Sequence, residues 1–227
     1  MKIEVLIPCY DGKVCVSTSH SLQHEFFVAQ QVGIQMNVRY LPGMSLVHAA
    51  RNMLVHQFLY ETDSDKAVFV DADVGWKAGS MVHLVSHKEH FVAAGCRRRK
   101  EPEDYAINWL DTGVEQDERT KLIEIETIGM AFTAITRKAF QMFRDKTPEL
   151  AFSFEGKQMH GFYECPIRNG EQIGEDVAFC RKWREIGQKV WLDPRHWITH
   201  SDGIKTYGGC VGTWLNERVA QTKEAAE

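Results

Sequence analysis

Residues 68–76 read Val68-Phe69-Val70-Asp71-Ala72-Asp73-Val74-Gly75-Trp76. Three apolar residues run into two carboxylates set one residue apart, and then into apolar residues again. A chain can bury such a run as a strand only if the charges fall at its end, where water or a ligand can solvate them. The expectation is a buried strand over residues 66–70 that delivers Asp71 and Asp73 to the rim of a sheet.

Working outward, strand and helix signals alternate. Ile3-Glu4-Val5-Leu6-Ile7 is a short apolar run closed by Pro8 and by Tyr10-Asp11-Gly12, which predicts a strand and a loop. Residues 20–32 carry Leu22, Phe26, Phe27, Ala29 and Val32 at helical spacing, and a strand is expected over 34–41 before Pro42-Gly43 breaks the chain. Ser45 is a candidate N-cap for a helix to residue 59, with Leu46, Ala50, Met53, Leu54 and Phe58 on one face. A helix over 78–87 and a strand over 90–94 follow. This alternation predicts an α/β fold with a mixed, mostly parallel central sheet flanked by helices, in which ligands meet the carboxyl ends of the strands. Pro8-Tyr10-Asp11 and Asp71-Ala72-Asp73 both stand at such ends.

The second half reads differently. Residues 97–121 are polar and loop-like, 122–135 suggest strands interrupted near Gly129, and 137–143 a short helix. Residues 152–172 have weak periodicity, 174–186 form a helix closed by Gly187, and 188–192 a strand. One domain is expected over residues 1–227, with a first half (1–95), a second half (96–215) and a fraying tail (216–227).

With 44% hydrophobic and 26% charged residues, the 227-residue chain is that of a globular protein. A net charge of -4 argues against a dedicated nucleic-acid binder. The six cysteines form no C-x-x-C pair, so reduced, packed thiols in a cytoplasm are expected. The N-terminal apolar run is too short for a signal peptide, and no run approaches membrane-spanning length.

Two carboxylates leaving a strand can share a hard divalent cation, magnesium or manganese, which also takes substrate phosphates; they can equally be turn or cap aspartates. Glu175-Asp176 at a helix start serves as caps or as an acid–base pair, and His200 as a packed residue or a ligand. The run Arg97-Arg98-Arg99-Lys100 is either a phosphate contact or a solvated loop. Trp109, His160, Phe162 and Tyr163 are either a stacking platform or core, and Met130 and Phe132 are expected in the core.

The stretches "IPCYDG", "HAARNMLVHQFL", "VFVDADVGW", "IGMAFTAITRKAF" and "GEDVAFCRKWREIGQKVWLDPRHWITH", in this order, resemble glycosyltransferases of the GT-A (Rossmann-like) fold, and small bacterial and bacteriophage members in particular. The resemblance implies a nucleotide-sugar donor, a divalent metal (manganese or magnesium) and transfer of a sugar to an acceptor nucleophile, with residues 1–95 as the nucleotide-sugar-binding half and 96–215 as the acceptor-side half. It places Pro8, Tyr10, Asp11, Arg51, Asn52, Asp71 and Ala72 at the nucleotide sugar, Asp71, Asp73 and His200 at the metal, and Glu175 and Asp176 beside the acceptor. The acceptor is left open among polysaccharide, protein and a modified DNA base. The competing readings are a non-catalytic nucleotide- or sugar-binding module and a nucleotidyltransferase; for the latter, "IPCYDGKV" lacks the glycine-rich phosphate loop.

Overall fold

The computed structural model describes residues 1–224. Seven strands form the central sheet in the spatial order Gln35–Leu41, Lys2–Pro8, Lys66–Val70, Phe132–Thr136, Phe91–Ala93, Val190–Leu192, Ile123–Ile125. Five run in one direction; Phe132–Thr136 and Ile123–Ile125 run against them. Six helices accompany the sheet: α1 (Val16–Gln31), α2 (Val47–Glu61), α3 (Ser80–Ser86), α4 (Arg137–Lys146), α5 (Glu175–Glu185) and α6 (Val211–Glu224). The expected α/β architecture, with a mostly parallel sheet flanked by helices, is present. Helix α6 runs into the segment expected to fray, and residues 225–227 lie outside the described residues.

The central strands are apolar on both faces because each face is covered. Ile3, Val5, Ile7, Val68 and Val70 pack with Leu22 and Ala29 of α1 and Met81 and Leu84 of α3. Leu6 and Phe69 point the other way, onto Leu54 and Phe58 of α2, Phe140 and Phe143 of α4 and Phe179 of α5. Period-two alternation thus divides one continuous apolar run between two cores, and each fully buried side chain contributes about 1.5–3 kcal/mol. Met130, Phe132, Phe162, Tyr163 and His160 are all buried; Trp109 packs against the same core.

Arg137, the first residue of α4, donates to the carbonyls of Phe58, Leu59, Thr62 and Ser64. Its guanidinium thereby takes up carbonyls that the end of α2 leaves without partners. Ser45 does not cap α2: the helix begins at Val47, Leu46 occupies the cap position, and no side chain accepts a hydrogen bond there. Helix α1 starts earlier than its apolar spacing suggests. The carbonyl of Ala72 accepts hydrogen bonds from Cys15 N (2.7 Å) and Thr18 Oγ1 (3.0 Å), and so ties the first turn of α1 to the aspartate turn.

Beyond that turn, Val74–Trp76 pairs antiparallel with Ile198–Ser201, which pairs in turn with Thr206–Gly209. Gly75 is required by this pairing, since a Cβ there would lie 2.7 Å from Thr199 Oγ1 and 3.1 Å from Ser17 Cβ. The fully buried Glu25 of α1 accepts from Trp76 Nε1 (3.0 Å), Gly79 N (2.9 Å) and Val82 N (2.8 Å). One carboxylate thus fixes both the strand after the aspartates and the start of α3. Glu25→Ala strips the partner from one buried and two partly buried donors and is expected to cost about 3 kcal/mol. A urea melt showing a lower midpoint at an unchanged slope checks this; a loss within about 0.5 kcal/mol would contradict it.

Candidate active site

The strand Lys66–Val70 ends at Val70, and a tight turn follows in which Val74 N donates to the carbonyl of Asp71 (3.1 Å). Asp71 N donates to Ala131 O (3.1 Å), so the turn is also anchored to the neighbouring strand's approach. The turn sends the two carboxylates to different partners. Asp71 Oδ1 accepts from Arg51 Nη2 at 2.9 Å. Asp73 Oδ2 lies 3.0 Å from Arg99 Nη1 and 3.4 Å from His200 Nε2.

Both aspartates open into a cavity of about 570 Å³ whose lining includes Pro8, Tyr10, Asp11, Lys13, Ala72 and Ser201. Of the residues expected at a nucleotide sugar, Pro8, Tyr10, Asp11, Asp71 and Ala72 therefore share one wall system, and Tyr10 offers an exposed ring. Arg51 and Asn52 do not line this cavity. Arg51 is buried and its second terminal nitrogen, Nη1, donates to Glu175 Oε1 at 3.0 Å, so it bridges two carboxylates. Asn52 exchanges two 2.8 Å hydrogen bonds with the backbone of Tyr163, which fixes the second half of the chain against α2.

His200 and Asp73 do come together. His200 Nδ1 lies 2.9 Å from the Arg97 carbonyl, an acceptor only, so Nδ1 carries a hydrogen. When the ring is neutral its lone pair lies at Nε2; when it is protonated, Nε2 donates to Asp73. Burial would lower the His200 pKa, but the hydrogen bonds to Asp73 and to the Arg97 carbonyl outweigh it and hold it above the ordinary value. Burial would likewise raise the Asp73 pKa, and His200 and Arg99 outweigh it and keep it below the usual range.

No protein-family model and no curated protein sequence matches the chain. Solved structures do. A197 from STIV superposes with a TM-score of 0.53 at 16% identity, over 88% of this chain and 86% of that one. The catalytic domain of Drosophila β1,4-galactosyltransferase 7, in complex with xylobiose, has a TM-score of 0.48 at 13% identity, over 85% of this chain and 64% of that one. Residues 1–349 of S. aureus TarS have a TM-score of 0.48 at 12% identity, over 85% and 58%. The likeness to A197 is one of fold.

Of the basic run, only Arg99 reaches the cavity. Arg97 pairs with Glu101 and Glu103, and Arg98 and Lys100 with Asp104. The run itself was the sequence signal; which member turns inward depends on a loop that sequence spacing does not specify. Lys13 and the segment Ser201-Asp202-Gly203 complete the lining without having carried any motif.

Glu175 and Asp176 open α5 as expected, but their environments differ. Glu175 is held by Arg51, whereas Asp176 accepts only from its own neighbour Val177 N (2.7 Å). Gly129 leaves room beside it, since a Cβ there would sit 3.5 Å from Asp176 Oδ2. Replacing Arg51 with Ala removes the cation that bridges two partly buried carboxylates. The change is expected to cost about 3–5 kcal/mol, and Arg51→Lys, which cannot reach both partners as a fork, recovers only part. Chemical unfolding of the two variants checks this, and wild-type stability of Arg51→Ala would contradict it.

Proposed function

We propose that the chain is a metal-dependent glycosyltransferase that moves a sugar from a nucleotide-sugar donor to an acceptor hydroxyl. The observation that carries the reading is the convergence of Arg99 and His200 on Asp73, where Asp73 and Arg99 line a cavity together with Tyr10, Asp11 and Asp71, and His200 reaches Asp73 from outside that lining. The donor set fits a divalent ion: Asp73 offers a carboxylate and His200 a neutral Nε2, a mixture that suits manganese alongside magnesium. A bound ion would neutralise the charge that gathers on the nucleoside diphosphate as the glycosidic bond breaks.

The remaining roles belong to the chain itself. Tyr10 and Asp11 hold the nucleoside end of the donor, the ring by stacking and the carboxylate by accepting from ribose hydroxyls. Arg99 and Lys13, both cations at the cavity, face the diphosphate. Asp71, oriented by Arg51, accepts from donor hydroxyls through its free oxygen. Asp176, with no cation bound to it, removes the acceptor's proton, while Glu175 is spent on Arg51 and acts as an anchor. The acceptor enters a second cavity of about 450 Å³ lined by His48, Asn52, Tyr163, Glu164 and Cys165; Asp176 stands outside this lining, within electrostatic reach of Cys165.

Calorimetry with manganese and a panel of nucleotide sugars tests the donor side: Asp73→Asn is expected to abolish metal-dependent donor binding, and His200→Ala to weaken it. Donor hydrolysis tests the rest. Asp176→Asn is expected to bind donor within a few-fold of wild type and to lose about a hundredfold in turnover, as removal of a general base requires. Wild-type donor affinity in Asp73→Asn, or full activity in excess chelator, contradicts the proposal; donor binding without any turnover in the native protein favours a silent binding module instead.

A further inference from the structure

Outside both cavities, α3 and the segment after the strand Val190–Leu192 bring three imidazoles onto one buried carboxylate. Asp193 Oδ2 lies 2.9 Å from His87 Nε2, 3.2 Å from His196 Nε2 and 3.5 Å from His83 Nδ1. His83 Nδ1 and His196 Nε2 are 3.3 Å apart, and the ligating atoms of His83, His87 and Asp193 all fall within 4.8 Å of one another. None of these four residues lines the candidate active site.

We propose that His83, His87, Asp193 and His196 form a second metal site, which takes a zinc-class ion. Hydrogen bonding alone does not account for the cluster. A carboxylate oxygen has about two lone-pair directions, and Arg195 Nη2 at 2.7 Å already takes one on Asp193 Oδ2. Three imidazole nitrogens share what is left. Arg195 Nη2 also lies 3.3 Å from His87 Nε2, and a guanidinium only donates. That contact is favourable when His87 Nε2 carries a lone pair, which would then face the Asp193 oxygen. A cation among these atoms resolves the conflict, because each nitrogen and the oxygen would direct a lone pair at it.

The spacing agrees. A tetrahedral ion with nitrogen and oxygen ligands at about 2.0–2.2 Å holds neighbouring ligand atoms about 3.3–3.6 Å apart. The separations of 3.2, 3.3 and 3.5 Å among His83, His196 and Asp193 are close to this range; His87, 2.9 Å from Asp193 and within 4.8 Å of His83, joins them by a rotation of its own ring. A set of three imidazoles and one carboxylate suits zinc, cobalt or nickel rather than magnesium or calcium, which prefer oxygen. The surroundings suit ligation as well. Arg195 Nε holds the other Asp193 oxygen at 2.8 Å, and Glu89 Oε2 lies 3.9 Å from His87 Nδ1, behind the proposed ligand nitrogen. His83, with its side chain 44% exposed, gives an entry path. Four protein ligands would close the site, which marks it as one that fastens α3 rather than one that performs chemistry.

The test uses the full chain carrying Asp73→Asn, stripped with chelator and titrated with cobalt(II) and then zinc(II), so that the candidate active site does not contribute. One equivalent of cobalt is expected to give the intense visible absorption of a tetrahedral site and to be displaced by zinc. Zinc at about a hundredfold over its Kd is expected to raise Tm by roughly 5 °C or more. Adding His83→Ala, a change at a half-exposed side chain that leaves the core intact, should weaken cobalt binding at least about tenfold and bleach the absorption; His196→Ala should do the same. Circular dichroism confirms that each variant is folded. Absence of a tetrahedral spectrum in the Asp73→Asn protein, or an unchanged spectrum and affinity in folded His83→Ala, overturns the proposal. Neither result bears on sugar transfer.

Discussion

The site is organised around one buried guanidinium. Arg51 sits on α2 with its planar fork divided between Asp71, at the end of a central strand, and Glu175, at the head of α5. The two partners come from places 20 and 124 residues away in sequence, so the fork ties three elements into a single frame. Burial alone would favour losing its charge, but the fields of Asp71 and Glu175 outweigh it and hold the arginine firmly protonated. The rings of Phe69 and Tyr163 lie within 5.8 and 5.9 Å of the guanidinium carbon, which leaves little room for water to screen the pairs. Because Asp71 and Glu175 are committed here, Asp73 is left to His200 and Asp176 is left free. The division of labour within each acidic pair follows from where one arginine was buried.

Much of this was legible in the sequence, and the limits have physical reasons. The strand before the aspartates, the helix after Gly174 and the rim position of Pro8 to Asp11 all follow from local signals: an apolar run, a charged edge, a glycine stop. Val74–Trp76 was not separable from the strand before it, because three residues carry no period of their own and the pairing partner lies over 120 residues away. Asn52 beside Arg51 looked like a ligand contact, yet its amide is used up by backbone that sequence cannot place next to it. A polar residue on the buried face of a helix signals that a partner exists, and leaves open whether that partner is substrate or chain. The histidine cluster was invisible for the same reason, since His83 and His196 are 113 residues apart.

The aspartate turn itself is held from outside rather than by its own sequence. The Ala72 carbonyl is bound by α1, the Asp71 amide by the Ala131 carbonyl, and the Asp73 carbonyl by Ser201 N at 2.9 Å. Three separate regions thus hold the turn from which the two carboxylates reach different cations, Arg51 and Arg99. Such over-determination is what holds side chains to one geometry at a site.

The order of strands in the sheet has a bearing on how the chain acquires its shape. Phe132–Thr136 enters between Lys66–Val70 and Phe91–Ala93, and pairs antiparallel with both. As the polypeptide leaves the ribosome, the first three parallel strands can assemble early, but one edge of Lys66–Val70 stays open until more than sixty further residues have emerged. An unpaired hydrophobic edge of that kind invites association with other chains, and the long loop closure delays its covering. Birth of this fold therefore carries a window of exposure set by topology alone, and the step that covers that edge also delivers the Ala131 carbonyl to the aspartate turn.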